Sequence, residues 1–347
     1  MAESKNQTIQ IMRGIAIAIV LLRHAIAQVN RDAVLDVAEQ IIICFHMPVF
    51  FVIAGYLFQK QLEKYQSLTK AKFLAGKAKR LLVAYVFWTV LLWTGVQIAC
   101  KLSPAILAKM TEIGFAPMSV GNLLYGLLTY QVYYTEHLWF VYVLFLLFVI
   151  NIFMQRVGAT RYAFVFWLII GLVTLFVDLP HIIERTILWG IFFEFGRITY
   201  KYSIPAKCTG GGYSLAACIL FIGGSVLRIA GQHSEITGRL FEVLVQLNKY
   251  LIGFAGVILI YAASRYLCRF GKALNVPKTV GDYSFDIYLM HNPYFVALSA
   301  IALNKLLGVN SYVTAIIATL LGICIPMLVS YLVIRRVKWM SSIMIGR

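Results

Sequence analysis

The feature that most constrains this chain is the recurrence of apolar runs about 20 residues long, the length an α-helix needs to cross the hydrocarbon of a bilayer. Ten are read, at about 9 to 28, 39 to 58, 81 to 100, 136 to 154, 162 to 179, 186 to 200, 213 to 230, 243 to 263, 283 to 303 and 312 to 334. With 61% hydrophobic and 13% charged residues and a mean hydropathy of +0.81, the chain has too little polar material to wet a soluble domain. The expected fold is all-α: a polytopic membrane protein with about ten transmembrane helices. The sixth run is short and carries Glu194 and Arg197, and the eighth carries Lys249. No Gly-Ser or Pro-rich linker divides the sequence, so residues 1–347 are read as a single membrane domain without an appended soluble one.

Orientation follows from the cations. Lys60, Lys64, Lys70, Lys72, Lys77, Lys79 and Arg80 follow the second run. Arg265, Arg269, Lys272 and Lys278 follow the eighth, and Arg335, Arg336, Lys338 and Arg347 follow the last. All fall on one side of such a bundle, which by the positive-inside rule is cytoplasmic and holds both termini. The net charge of +17 then reads as topology and contact with anionic lipid, with no call for nucleic acid, and the basic face can hold an anionic cofactor. The N-terminus lacks the small-residue cleavage site of a secretory signal, so the first run is expected to be retained as a helix. The segment from about 101 to 135 is too short and too polar at its ends to span and is expected at the interface. Six cysteines form no CxxC pair and suggest neither a disulfide framework nor a metal site.

Ionisable residues inside these runs point to function. In RGIAIAIVLLRH, Arg13 and His24 are 11 residues apart, roughly 20° past three helical turns and about 16.5 Å along the axis. They share one face, with Arg13 at the inner boundary and His24 in the outer half. His46 in ICFHMPVFFVIAGYLF is expected at a similar depth. Glu136 and His137 open the fourth run at the same level, and Asp286, Tyr288 and His291 lie within the ninth. An intramembrane cluster of histidines, acids and tyrosines is a functional hypothesis by default.

These residues also carry a family resemblance. The Arg-(ten residues)-His spacing of Arg13 and His24, FHMPVFFVIAGYLF from Phe45, KAKRLL containing Arg80, HLWF at His137 and YSFDIYLMH from Tyr283 together resemble the integral membrane acyltransferase-3 family, and within it the sugar O-acetylases with a fucose-4-O-acetylase-like second span. The likeness extends over essentially the whole chain. Two positions depart from the pattern: Lys77 stands where the family often has a second arginine, and Glu194 in GIFFEFG stands where an apolar residue is expected.

The resemblance implies a multi-pass enzyme of a bacterial-type cytoplasmic membrane. It would move an acyl group, most simply acetyl from cytoplasmic acetyl-CoA, to a hydroxyl of an envelope glycan or its lipid-linked precursor. The residue geometry agrees: Arg13, Lys77 and Arg80 are placed to neutralise the phosphates of CoA. Its thin pantetheine arm is comparable in length to the rise from Arg13 to His24. A thioester is already activated, so the site needs a base, an oxyanion donor and positioning, and no metal. His24 is the expected base, oriented by Asp286 or Glu136. His46 or a tyrosine would support the oxyanion, His137 is a further catalytic candidate, and Tyr283, Tyr288 and His291 would contact substrate. The rival class is a transporter or flippase of a lipid-linked sugar or small solute, which also carries intramembrane His, Asp and Arg.

Overall fold

The computed structural model describes residues 2–64, 69–112, 119–129, 133–204, 211–270 and 275–347, and no strand occurs among them. Among the described residues, seven helices are long and apolar enough to cross a membrane. They are α1 (Ala2–Ile26), α2 (Ala33–Lys64), α3 (Lys70–Leu102), α6 (Trp139–Arg156), α9 (Gly211–Gln232), α10 (Arg239–Leu267) and α14 (Ser311–Leu332). Short helices α4 (Pro104–Glu112) and α5 (Val120–Thr129) occupy the segment read as interfacial. The protein is a multi-pass, all-helical membrane protein.

The other three apolar runs are helical but depart from a regular span, each for a local reason. The run at 162–179 gives α7 (Ala163–Val173), only 11 residues long. The run at 186–200 lies within α8 (His181–Lys201), which is long enough but carries Glu184, Arg185, Glu194, Arg197 and Lys201. The run at 283–303 breaks into α12 (Ser284–Met290), a π-helical turn at His291–Phe295 and α13 (Ala297–Ile301). The break sits at Asn292, whose backbone is extended at φ −122 and ψ 144. Pro293 follows, and a proline has no N–H for the helical ladder and pushes the residue before it out of the helical region.

Close backbone packing sets the positions of the site-bearing helices. A Cβ on Gly55 of α2 would run into the Phe193 carbonyl of α8, and one on Gly196 of α8 into the Val52 carbonyl. The two helices therefore touch backbone to backbone, as small residues permit in membranes where apolar side chains gain little by leaving lipid. The same device joins α1 to α11 (Asn275–Asp282), where a Cβ on Gly14 would meet the Pro277 carbonyl and one on Gly281 the Gln10 carbonyl. That contact holds Arg13 against the start of the broken helix. The final helix α15 (Lys338–Met344) folds back onto α3, where Trp88 Nε1 donates to the Met344 carbonyl at 2.8 Å. Large apolar side chains on the far faces of α9 and α14, among them Leu215, Leu227, Ile316 and Leu320, stay exposed, the arrangement that lipid-facing helices require.

A buried polar network accounts for Glu194. Arg197 donates through Nη1 to Glu194 Oε2 at 2.8 Å and to Asn151 Oδ1 at 2.9 Å, and through Nε to Gln59 Oε1 at 3.2 Å. The acid that departs from the family pattern is thus the counter-ion of an arginine one turn along α8, and the group ties α8 to α2 and α6.

Candidate active site: a basic mouth and a cluster of histidines

Between α1, α2, α3, α6 and the α11–α12 segment lies a cavity of about 220 Å³. At one end stand Arg13, Lys77, Arg80 and Arg347, with Asp282 the one acidic residue among its lining. Lys77 Nζ donates to Gln61 Oε1 at 2.7 Å and lies 4.9 Å from the centre of the Phe148 ring. Asp282 is occupied: its carboxylate accepts from Gln10 Nε2 at 2.7 Å, and its carbonyl accepts from Arg335 and Arg347. Four cations facing one already-engaged acid make the mouth strongly electropositive. The three basic residues expected at a phosphate site are brought together. Arg347 was read only as a topological charge, and its place here depends on the fold-back of α15, which no local pattern announces.

Met47, Phe50, Phe140 and Tyr288 line the cavity away from the cations. Phe50 and Phe140 meet edge to face at 5.9 Å, and Phe140 meets Tyr288 at 5.5 Å, so aromatic rings wall that part of it. The Tyr288 hydroxyl donates to the His137 carbonyl. Its ring lies 6.0 Å from that of His291 and 6.5 Å from that of His137. Directly past the aromatic floor, therefore, are the histidines.

Three imidazoles gather there from distant parts of the chain. His291, at the break between α12 and the π turn, lies 5.2 Å from His24 of α1 and 5.4 Å from His137 at the entry to α6, ring centre to ring centre. His137 and His291 are buried, whereas His24 is half-buried. His291 Nδ1 donates to the Tyr288 carbonyl at 2.7 Å, which makes Nε2 the unprotonated nitrogen of a neutral ring. That Nε2 and both nitrogens of His137 are buried without a hydrogen-bond partner. No group of three His, Cys, Asp or Glu side chains converges as metal ligands among the described residues. What the arrangement offers is proton acceptance and hydrogen-bond donation in a desolvated setting.

The remaining candidates lie around this core. His46 is buried on α2 with Nδ1 donating to the Ile42 carbonyl at 2.8 Å. Asp286 is fully buried but belongs to a different group: it accepts from Ser330 Oγ at 2.5 Å and from Arg335 Nε at 2.8 Å. The carboxylate expected to orient His24 is thus engaged as the counter-ion of Arg335. Tyr283 stacks beneath the same arginine, with the guanidinium carbon 3.5 Å from its ring centre, and does not line the cavity. The side chain of Glu136 lies outside the described residues.

No curated protein and no solved structure matches the chain. An acyltransferase-domain model does match, over residues 6–335, and so takes in the mouth, the aromatic floor and the histidines, with Arg347 alone of the mouth's four cations beyond it. A membrane bundle with an electropositive cavity leading to buried imidazoles, matched across nearly its whole length by that model, belongs to the acyltransferase-3 family.

Proposed function

We propose that this membrane acyltransferase takes its acyl group, acetyl in the simplest case, from acyl-CoA bound at the basic mouth. It delivers the group to a hydroxyl of an envelope glycan or its lipid-linked precursor. The observation that carries the reading is the continuity of one cavity from four cations to an aromatic floor with the histidines directly beyond it. CoA has that shape and charge distribution: a polyanionic nucleotide, a narrow arm and a reactive thioester at the far end. The basic mouth faces the cytoplasm in this reading, where acyl-CoA is made, and the enzyme sits in a bacterial-type inner membrane.

Arg13, Lys77, Arg80 and Arg347 neutralise the phosphates, with the arginines offering paired donors to phosphate oxygens. The arm passes Phe50 and Phe140, whose faces exclude water from the thioester. His24 removes the proton from the attacking hydroxyl as its oxygen bonds to the thioester carbonyl carbon. His137, whose ring packs against His291, is the better-placed oxyanion donor, since the Tyr288 hydroxyl is committed to a backbone carbonyl. Collapse of the tetrahedral intermediate breaks the carbon–sulfur bond, and the proton held by His24 returns to the CoA thiolate. Acyl transfer from a thioester thus needs positioning and proton management and little else.

The mouth is testable by itself. Arg80→Ala removes one charged donor, and charge-assisted hydrogen bonds contribute about 1.5–3 kcal/mol each, so acetyl-CoA should bind about tenfold to a hundredfold more weakly. Titration of purified wild-type and Arg80→Ala protein with acetyl-CoA measures this. Equal affinity in a folded variant removes the phosphate assignment.

A further inference from the structure

A catalytic imidazole needs a group that fixes its tautomer and aims its basic nitrogen, and in hydrolases a carboxylate usually does this. Here Asp286 holds Ser330 and Arg335 through Oδ2 as the counter-ion of that arginine, and its Oδ1 is buried without a partner. The ring in contact with His24 is that of His291. Of the two, His291 is completely buried and His24 is half-buried, so His24 is the more open to a substrate hydroxyl.

Building on the reading of His24 as base, we infer that His291 is its positioning residue, accepting the His24 N–H through the lone pair of Nε2. The tautomer of His291 is set by its own backbone: Nδ1 donates to the Tyr288 carbonyl at 2.7 Å, with the Ile287 carbonyl a further 3.2 Å contact. Nε2 can therefore only accept. It is buried with no partner, a costly state that rarely persists without a reason. With the His291 ring held by its backbone bond, rotation of the His24 ring, 5.2 Å away between centres, can turn a nitrogen toward Nε2. The bond satisfies Nε2 and leaves the other nitrogen of His24 unprotonated toward its open side. When that nitrogen takes the hydroxyl proton, the N–H held by His291 becomes a charge-assisted donor and strengthens as the imidazolium forms. His291 neither gives nor takes a proton in the cycle; only the acceptor hydroxyl, His24 and the CoA thiolate do.

The break in the helix belongs to the device. Because the π turn begins at His291 and Asn292 is extended, the Tyr288 carbonyl is available to the imidazole and the ring is fixed at the junction facing α1. Such turns are frequent at functional sites.

Two substitutions separate positioning from other roles. In His291→Gln the amide oxygen reaches the place of Nε2 and can accept from His24. In His291→Asn the shorter side chain reaches only the place of Nδ1. Acyl-CoA binding, donor KM and kcat for acyl transfer are measured on both, beside His24→Gln. The expected result is unchanged acyl-CoA binding and donor KM in both His291 variants. His291→Gln should keep most of its kcat, and His291→Asn should fall about 10²-fold, the scale at which a misplaced catalytic group is felt. A His291→Asn enzyme with wild-type kcat overturns the inference. So does an equal fall in both variants, which would make His291 a proton carrier, or loss of acyl-CoA binding, which would make it structural. Near-normal transfer by His24→Gln instead overturns the underlying assignment of the base, and so the two failures are distinguishable.

Discussion

Replacing His24 with glutamine should leave a protein that inserts, folds and binds acyl-CoA yet transfers acyl groups about 10² to 10⁴-fold more slowly, the usual range for loss of a general base. Glutamine keeps a donor and an acceptor near the same place, so a histidine serving only as a packing or hydrogen-bonding residue tolerates the change. It cannot accept a proton near neutral pH. Several features of the fold make His24 the sensitive position. It is half-buried where His137 and His291 are closed in, it stands past the aromatic end of the cavity, and it shares its helix with Arg13 at the mouth. Transfer to glycan and binding of acyl-CoA, measured on the same preparation, check it. Normal binding with near-normal transfer would move the base to His137 or His46.

A different kind of loss is expected from Arg197→Met. Arg197 and Glu194 leave only 7% and 3% of their side chains accessible and pair at 2.8 Å. Removing the cation strands a carboxylate inside the bundle and orphans the acceptors Asn151 Oδ1 and Gln59 Oε1. Breaking a buried pair from one side costs about 3–5 kcal/mol, whereas replacing both partners by apolar groups is often near neutral. Thermal unfolding in detergent should therefore show a large fall in Tm for Arg197→Met and recovery of most of it in the double variant Glu194→Leu/Arg197→Met. An unchanged Tm in the single variant would mean that the network contributes nothing to stability. Neither residue lines the basic cavity, so acyl-CoA affinity of the surviving folded fraction should match the wild type.

Much of the site was legible because it depends on short-range periodicity. Arg13 and His24 share a helical face by spacing alone, and the apolar length of each run marks where a helix can form. What stayed hidden rests on contacts between distant residues. Asp286 is neutralised by Arg335, 49 positions on, and in a sequence both look like free intramembrane or positive-inside charges. Arg347 enters the mouth only because α15 folds back on Trp88. Glu194 was unassigned because an i,i+3 partner on the same helix is persuasive only once both groups are known to be buried. Nothing in the spacing of His291 shows that its ring meets two other imidazoles. The Asn-Pro pair after it is a local signal that a regular helix must break there, and weighing it would have split the ninth run correctly.

In the proposed function, acyl-CoA anchored at the basic mouth gives up its acyl group, past the aromatic rings, to a hydroxyl that His24 deprotonates. This transfer is tested most directly in vesicles reconstituted with the purified protein, given acetyl-CoA labelled in its acetyl group together with a lipid-linked glycan extract. Label is expected in an alkali-labile ester on the glycan with the wild-type protein, and almost none with His24→Gln. Unlabelled glycan, an intact thioester and movement of the glycan lipid across the bilayer would contradict it and identify a carrier.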